Sequence, residues 1–280
     1  MTDFEFVDSH VHFWEPTRHG WYTALRDFAP DLYRDYLPAD HVADAAGVHL
    51  TGIVHVSATT APRAFLDETR WLDELHRKTG VPNALLGTID PHGPFEDIER
   101  DLRAQAESPA FRGIRVLAGL DPSAEDTARL FALLGDNGWI FDLVAHPGDV
   151  DGFARAIERA PGTTFVLEHT GWPSGEGSEE FRHWQEGVTR LAALPNVDCK
   201  LSGLPMALGT MDAARLRPWI ETCLDLFGVE RCFFGSNFPV DGLAGTYAEM
   251  MEAYQKITSQ LSVEDRRALF ATNARRRYNI

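Results

Sequence analysis

GIRVLAGLDPSAEDTARLFALLGDNGWIFDLVA, Gly113 to Ala145, holds one complete strand–helix–strand unit. Gly113-Ile114-Arg115-Val116-Leu117 is a short apolar run of the kind buried on both faces of a parallel sheet. Asp121-Pro122-Ser123 signals a turn and a helix start. The helix from Ser123 to Leu134 places Leu130, Phe131, Leu133 and Leu134 along one side, and Gly135 and Gly138 stop it. Trp139 to Ala145 reads as the next strand. Working outward, strand-like runs recur at Phe4–Asp8, Thr51–Val56 and Ala84–Ile89 before this unit, and at Thr163–Glu168, Val197–Leu201 and Arg231–Phe234 after it. Helical patterns occupy Asp149–Arg159, Phe181–Leu194 and Tyr247–Gln260, while Asp212–Phe227 contains Pro218 and is expected to kink or split there. Eight strands each followed by a helix predict an α/β fold, a (β/α)8 TIM barrel, with residues 1–280 as a single domain. An extra C-terminal helix, capped at Ser262, is expected to pack through Leu269 and Phe270. A doubly wound open sheet is the alternative, because strand order is not written in the sequence. The aromatic-rich stretch Pro16–Pro38 has the makings of a lid over one end.

The 280 residues carry 26 Lys+Arg against 42 Asp+Glu, a formal charge of −16. That balance argues against nucleic-acid partners and against anionic membrane surfaces, both of which need clustered cations. A small anionic substrate stays open, because it needs only one or two local arginines. No apolar run approaches the roughly 18 residues that span a bilayer. Met1-Thr2-Asp3-Phe4-Glu5 lacks the basic and apolar parts of a signal peptide, so a cytoplasmic setting is expected. Cys199, Cys223 and Cys232 form no CxxC pair and read as buried reduced thiols. Oligomeric state is left open, a homo-oligomer included.

In a barrel, reactive side chains gather at the C-terminal ends of the strands. The first strand ends in Val7-Asp8-Ser9-His10-Val11-His12-Phe13-Trp14, and residues two apart on a strand share a face. His10 and His12 are thus expected to converge at the mouth, where such a pair binds one metal ion or polarises one carbonyl. Arg115 ends the fourth strand with a guanidinium fork suited to a carboxylate, whereas Arg112, ahead of that strand, reads as structural. His169 ends the sixth strand and His146 the fifth. Lys200 and Ser202 share one facing near the end of the seventh. His55, inside the second strand, reads as a hydrogen-bonded core or mouth residue. No GxSxG, P-loop or GxGxxG motif is present.

Six segments in order carry a family resemblance: Asp8–Trp14, Arg34-Asp35-Tyr36-Leu37-Pro38, Phe111-Arg112-Gly113-Ile114-Arg115, Val166–Pro173, Lys200-Leu201-Ser202-Gly203-Leu204 and Phe234-Gly235-Ser236-Asn237-Phe238-Pro239-Val240. With these the chain resembles the amidohydrolase superfamily, and most of all its branch of sugar lactonases and the pyrone-dicarboxylate lactonase. The resemblance implies a barrel hydrolase that opens a small carboxylated lactone, or less readily a cyclic amide, by water attack on a carbonyl held at the mouth. It implies catalytic roles for His10, His12, His169 and Asn237. Arg115 is expected to bind the substrate, and Lys200 is expected beside it as a substrate-binding or electrostatic group. A single divalent ion, zinc or manganese, would sit on His10, His12 and His146. The superfamily has an aspartate where this chain has Asn237, and an amide is no general base. Asp241, four residues on, is either the missing carboxylate or an ordinary loop aspartate or helix cap. The alternative reaction is metal-dependent non-oxidative decarboxylation of a small unsaturated or aromatic acid; a third reading is a binding protein without catalysis.

Overall fold

The structure is a computed structural model that describes residues 5–59, 61 and 63–280. Met1 to Phe4, including the residue expected to open the first strand, lie outside them. Eight strands, β1 (Glu5–Val11), β2 (His49–Val56), β3 (Ala84–Gly87), β4 (Phe111–Arg115), β5 (Ile140–Leu143), β6 (Thr164–Leu167), β7 (Val197–Leu201) and β8 (Cys232–Phe234), pair in parallel in sequence order. That order excludes the doubly wound alternative and gives the (β/α)8 barrel. Around it run α1 (Thr23–Phe28), α2 (Pro38–Asp44), α3 (Phe65–Thr79), α4 (Phe95–Gln105), α5 (Glu125–Asp136), α6 (Val150–Glu158), α7 (Ser178–Ala192), α8 (Leu204–Leu208), α9 (Ala213–Phe227) and α10 (Tyr247–Ile257). Of the two outcomes expected at Pro218, the split does not occur: α9 continues from Ala213 to Phe227 as one helix. Proline forgoes one intrahelical bond, and here the buried face of Leu216, Trp219, Ile220 and Cys223 carries the helix across it.

The last strand meets the first without a regular ladder. Ser9 Oγ donates to the Phe234 carbonyl (2.8 Å), and the Ser236 N–H donates to Asp8 Oδ1 (2.8 Å). Above these, Asn237 N–H bonds the His10 carbonyl (2.8 Å) and His12 N–H bonds the Phe238 carbonyl (2.9 Å). Asp8 also accepts from the Tyr247 hydroxyl (2.8 Å) and lies 3.2 Å from His41 Nε2, pinning α2 and α10 to the seam. Gly235 permits the approach: a Cβ there would sit 2.8 Å from His10 Cβ and from Ser9 Oγ.

The barrel interior is filled at its lower end by Val7, Val54, Val56, Ala84, Leu86, Ile140, Val166 and Phe233. The C-terminal segment closes that end. α11 (Val263–Arg267), capped by Ser262 as expected, leads through one wide turn to α12 (Asn273–Tyr278). Tyr278 is fully buried against Phe233. Arg112 bonds the carbonyls of Tyr278 (2.6 Å) and Asn279 (3.3 Å), the structural part expected of it. At the other end, Trp14 and Tyr36 form an antiparallel bridge, and the Trp21 carbonyl accepts from Thr59 (3.2 Å). The segment between them thus packs across the ends of β1 and β2, where a lid was expected. The three cysteines are buried and unpaired.

Candidate active site

His10 and His12 project from the end of β1 with their Nε2 atoms 3.2 Å apart. His12 Nδ1 lies 2.8 Å from the Val56 carbonyl, which accepts only from an N–H, so this bond puts the His12 proton on Nδ1 and a lone pair on Nε2. His10 Nδ1 lies 3.5 Å from Lys200 Nζ, a donor, which places the His10 proton on Nε2, facing His12. Burial drives both rings toward the neutral form. It lowers His10 first of all, with Lys200 adding to it, and takes His12 to about 3, with Arg115 next, against the Val56 carbonyl and Asn237.

His169 stands 4.5 Å from His10, ring centre to ring centre, and its Nδ1 is 2.9 Å from Ser202 Oγ. Gly203 packs flat on this imidazole, and a Cβ there would lie 2.4 Å from the ring. Burial, then Arg115, also lowers His169 below the usual histidine range. The residue before it, Glu168, points into the same space. Consecutive strand residues face opposite ways, but His169 and Thr170 take left-handed φ values of 50° and 57°, which turns the chain and brings both side chains inward.

Beneath the histidines lies a buried charged layer, of which the sequence reading named Arg115 and Lys200 and missed Asp142 and Glu168. Lys200 Nζ donates to Asp142 Oδ2 (2.6 Å), both side chains having no exposure. Arg115 donates to Glu168 Oε2 (3.5 Å) and to the Ser57 carbonyl. Burial pushes Glu168 upward, Arg115 opposes this, and Asp142 adds to it. The expected substrate-binding role does not suit Lys200: its ammonium is fully buried and engaged by Asp142 beneath His10. Arg115, 7% exposed, keeps its place at the floor of the site, with part of its fork already engaged. Asp142 was legible as a lone acid inside the apolar run Ile140–Leu143, which demands a buried partner.

Asn237 enters from the β8 loop at φ 55°. Its Nδ2 donates to Asp241 Oδ1 (2.8 Å), and the Met206 N–H donates to the same oxygen (3.1 Å). Asp241 is fully buried, and burial pushes its carboxyl up to about 8. It is no exposed loop residue: its carboxyl is buried against the Asn237 amide. His55 is a core residue as expected, its Nδ1 accepting from the Phe13 N–H (3.1 Å).

The structure does not bring His146 to this cluster. It is exposed on the turn after β5, with its ring against Trp172 (5.0 Å), while Trp172 also packs on His169 (4.6 Å). Among the described residues the group able to hold a metal ion is instead His10, Glu168 and His169, with donor atoms all within 4.8 Å of one another. The fit is chemical as well as spatial. The two imidazoles are held neutral, and Glu168 Oε1 is buried with no hydrogen-bond partner.

A family profile described as Amidohydrolase matches residues 7–280. An L-fucono-1,5-lactonase from Burkholderia multivorans is 31% identical, the alignment covering 97% of this chain and 95% of that one. The crystal structure of an amidohydrolase from Burkholderia multivorans with bound zinc is 29% identical. It superposes with a TM-score of 0.86 over 98% of this chain and 99% of that one. A 5-carboxyvanillate decarboxylase from Novosphingobium aromaticivorans, 14% identical over 99% of this chain and 97% of that one with a TM-score of 0.68, shares the fold alone.

Proposed function

The chain belongs to the amidohydrolase family and is a hydrolase of that superfamily; from this premise we propose that it opens a sugar lactone to the hydroxy acid. The observation that carries the reading is the convergence of three neutral histidines, Arg115 and Asn237 at the strand ends, in a chain similar along its length to a lactonase. A neutral polyhydroxy ring is favoured over the carboxylated lactone expected from sequence. Lys200 is committed to Asp142 and Arg115 to Glu168 and Ser57, which leaves little free positive charge for a substrate carboxylate. The decarboxylase reading has no observation of its own, since the decarboxylase likeness is one of fold.

In this reading the lactone carbonyl oxygen accepts from Arg115 and from His10 Nε2–H, which Lys200 holds in that tautomer and which the bound lactone takes over from His12 Nε2. Water donates one O–H to Asn237 Oδ1 and the other to His169 Nε2. The water oxygen bonds to the carbonyl carbon as its proton passes to His169. The ring C–O bond then breaks, and the departing alkoxide takes that proton from His169. Ser202 keeps the imidazole oriented throughout. A divalent ion on His10, Glu168 and His169 would supply Lewis acidity and an activated water in place of the His169 base.

The test is a panel of aldonolactones, L-fucono-1,5-lactone among them, with 2-pyrone-4,6-dicarboxylate as the charged member. Ring opening is followed by proton release, with and without added zinc or manganese. Turnover confined to the neutral sugar lactones is expected. Preference for the dicarboxylate would restore the anionic substrate, and no opening of any member would remove the reading. Elemental analysis of protein purified without added metal is the companion measurement, and about one ion per chain is expected if the three-ligand group is occupied.

A further inference from the structure

We propose that Asp241 is the positioning residue for Asn237 and fixes which end of its amide faces the reaction. This rests on the lactone-opening reading. Asn237 is tied across the seam by its N–H bond to the His10 carbonyl, so its Cα is fixed. That bond leaves both side-chain torsions free, and the outer one sets which end of the amide faces the site. The oxygen and nitrogen of an amide are nearly the same size and exchange by a half-turn. The histidine pair does not decide between the two ends, because the His12 Nε2 lone pair already faces the His10 Nε2–H at 3.2 Å.

Asp241 decides it. Its Oδ1 accepts Asn237 Nδ2 at 2.8 Å in a fully buried place, and the Met206 N–H at 3.1 Å holds the same oxygen still. Asn237 Nδ2 also lies 3.9 Å from the Met206 sulfur, on the same side. With NH2 held there, Oδ1 is turned to the site as an acceptor. An attacking water needs such an acceptor: it donates an O–H to Asn237 and keeps a lone pair for the carbonyl carbon. Asp241 touches no substrate and acts only through Asn237. An oxygen acceptor at this point is enough, so an amide in place of the carboxyl does part of the same work.

The competing view is that Asp241 merely secures α8 through Met206. Asp241→Leu removes the acceptor, and Asp241→Asn retains one. On the best lactone of the panel, kcat of Asp241→Leu is expected to fall on the order of 100-fold with KM changed by no more than about threefold. Asp241→Asn is expected to regain about tenfold of that loss. Asp241→Ala serves as the acceptor-free variant if Asp241→Leu does not fold. Equal kcat in the acceptor-free and Asn variants overturns the proposal, and so does a loss confined to KM. The side-chain amide of Asn237 in ¹⁵N NMR gives a readout that needs no substrate. Its protons are expected to be protected from exchange in the wild type and in Asp241→Asn, and exposed in the acceptor-free variant. An amide signal that ignores the substitution overturns the proposal. If the wild type opens no lactone, the functional reading fails and the amide signal still decides the positioning role.

Discussion

At the scale of single residues, the proposed reaction gives His10 and His169 distinct duties on adjoining rings. His169→Ala is expected to lower kcat by about 10²- to 10⁴-fold, the usual worth of a general base, with the urea unfolding curve little changed. His10→Ala is expected to lower kcat too, and additionally to leave Lys200 without its upper partner. Full activity in both variants would refute the site. Because burial holds His10, His12 and His169 neutral, protonation of these rings begins only well into acid. The enzyme-catalysed rate, with spontaneous hydrolysis subtracted, is therefore expected to show no inflection near about 6.5, the ordinary histidine value. A clear drop there would mean that one ring titrates normally. The histidine pair and Arg115 were legible in the sequence because strand alternation and strand ends are local properties. Glu168 was not, because it depends on two left-handed residues that follow it. Nor was the state of Asp241, since a carboxyl four residues from an amide looks the same in a loop or buried behind it. His146 misled because a strand-end position guarantees nearness to the mouth but not the direction of the ring.

Elements divide the barrel into a chemical end and a closed end. α12 lays Tyr278 across the closed end, with Lys200 Nζ 5.4 Å from the centre of its ring. The C-terminal helix is thus the floor on which the charged layer rests. Tyr278→Ala is expected to destabilise the fold by about 3–5 kcal/mol, as for other large buried aromatics. The same change at Phe28, 66% exposed on α1, is expected to stay within about 0.5 kcal/mol. Urea denaturation of the two variants checks both, and equal midpoints would show that the plug is dispensable. Strand runs and helix caps were readable: Ser262 caps α11 through the Asp265 N–H (3.0 Å), and Thr246 with Glu249 boxes the start of α10. The wide turn between α11 and α12 was not, because it is set by where Tyr278 must land and not by any local signal. At Pro218 the helix does not split, since a packed face outweighs one missing hydrogen bond.

Over the whole molecule, buried acids give stability a pH slope. Glu68, pushed to about 7, and Asp241, to about 8, both lie above their ordinary values of 4.5 and 3.8, burial being the main cause. The folded state therefore holds protons that the unfolded chain releases. Their stabilising effect is complete below pH 3.8 and fades as pH rises through about 7 and 8. The urea midpoint is expected to fall between pH 6 and pH 9, and a rise over that range would contradict the burial of these groups. The overall charge of −16 was plain from composition but says nothing of the site, whose buried layer balances Lys200 and Arg115 against Asp142 and Glu168. The seam between β8 and β1 sets a different limit, one of time. Ser9 finds Phe234 across 225 residues of chain, and His10 takes its place beside Asn237 by the same closure. During synthesis the open edge of the first strand must wait for β8 and the loop after it to leave the ribosome, a long-range pairing that slows folding. No nascent fragment can assemble the reaction centre, so hydrolytic activity doubles as a report that the ring has closed.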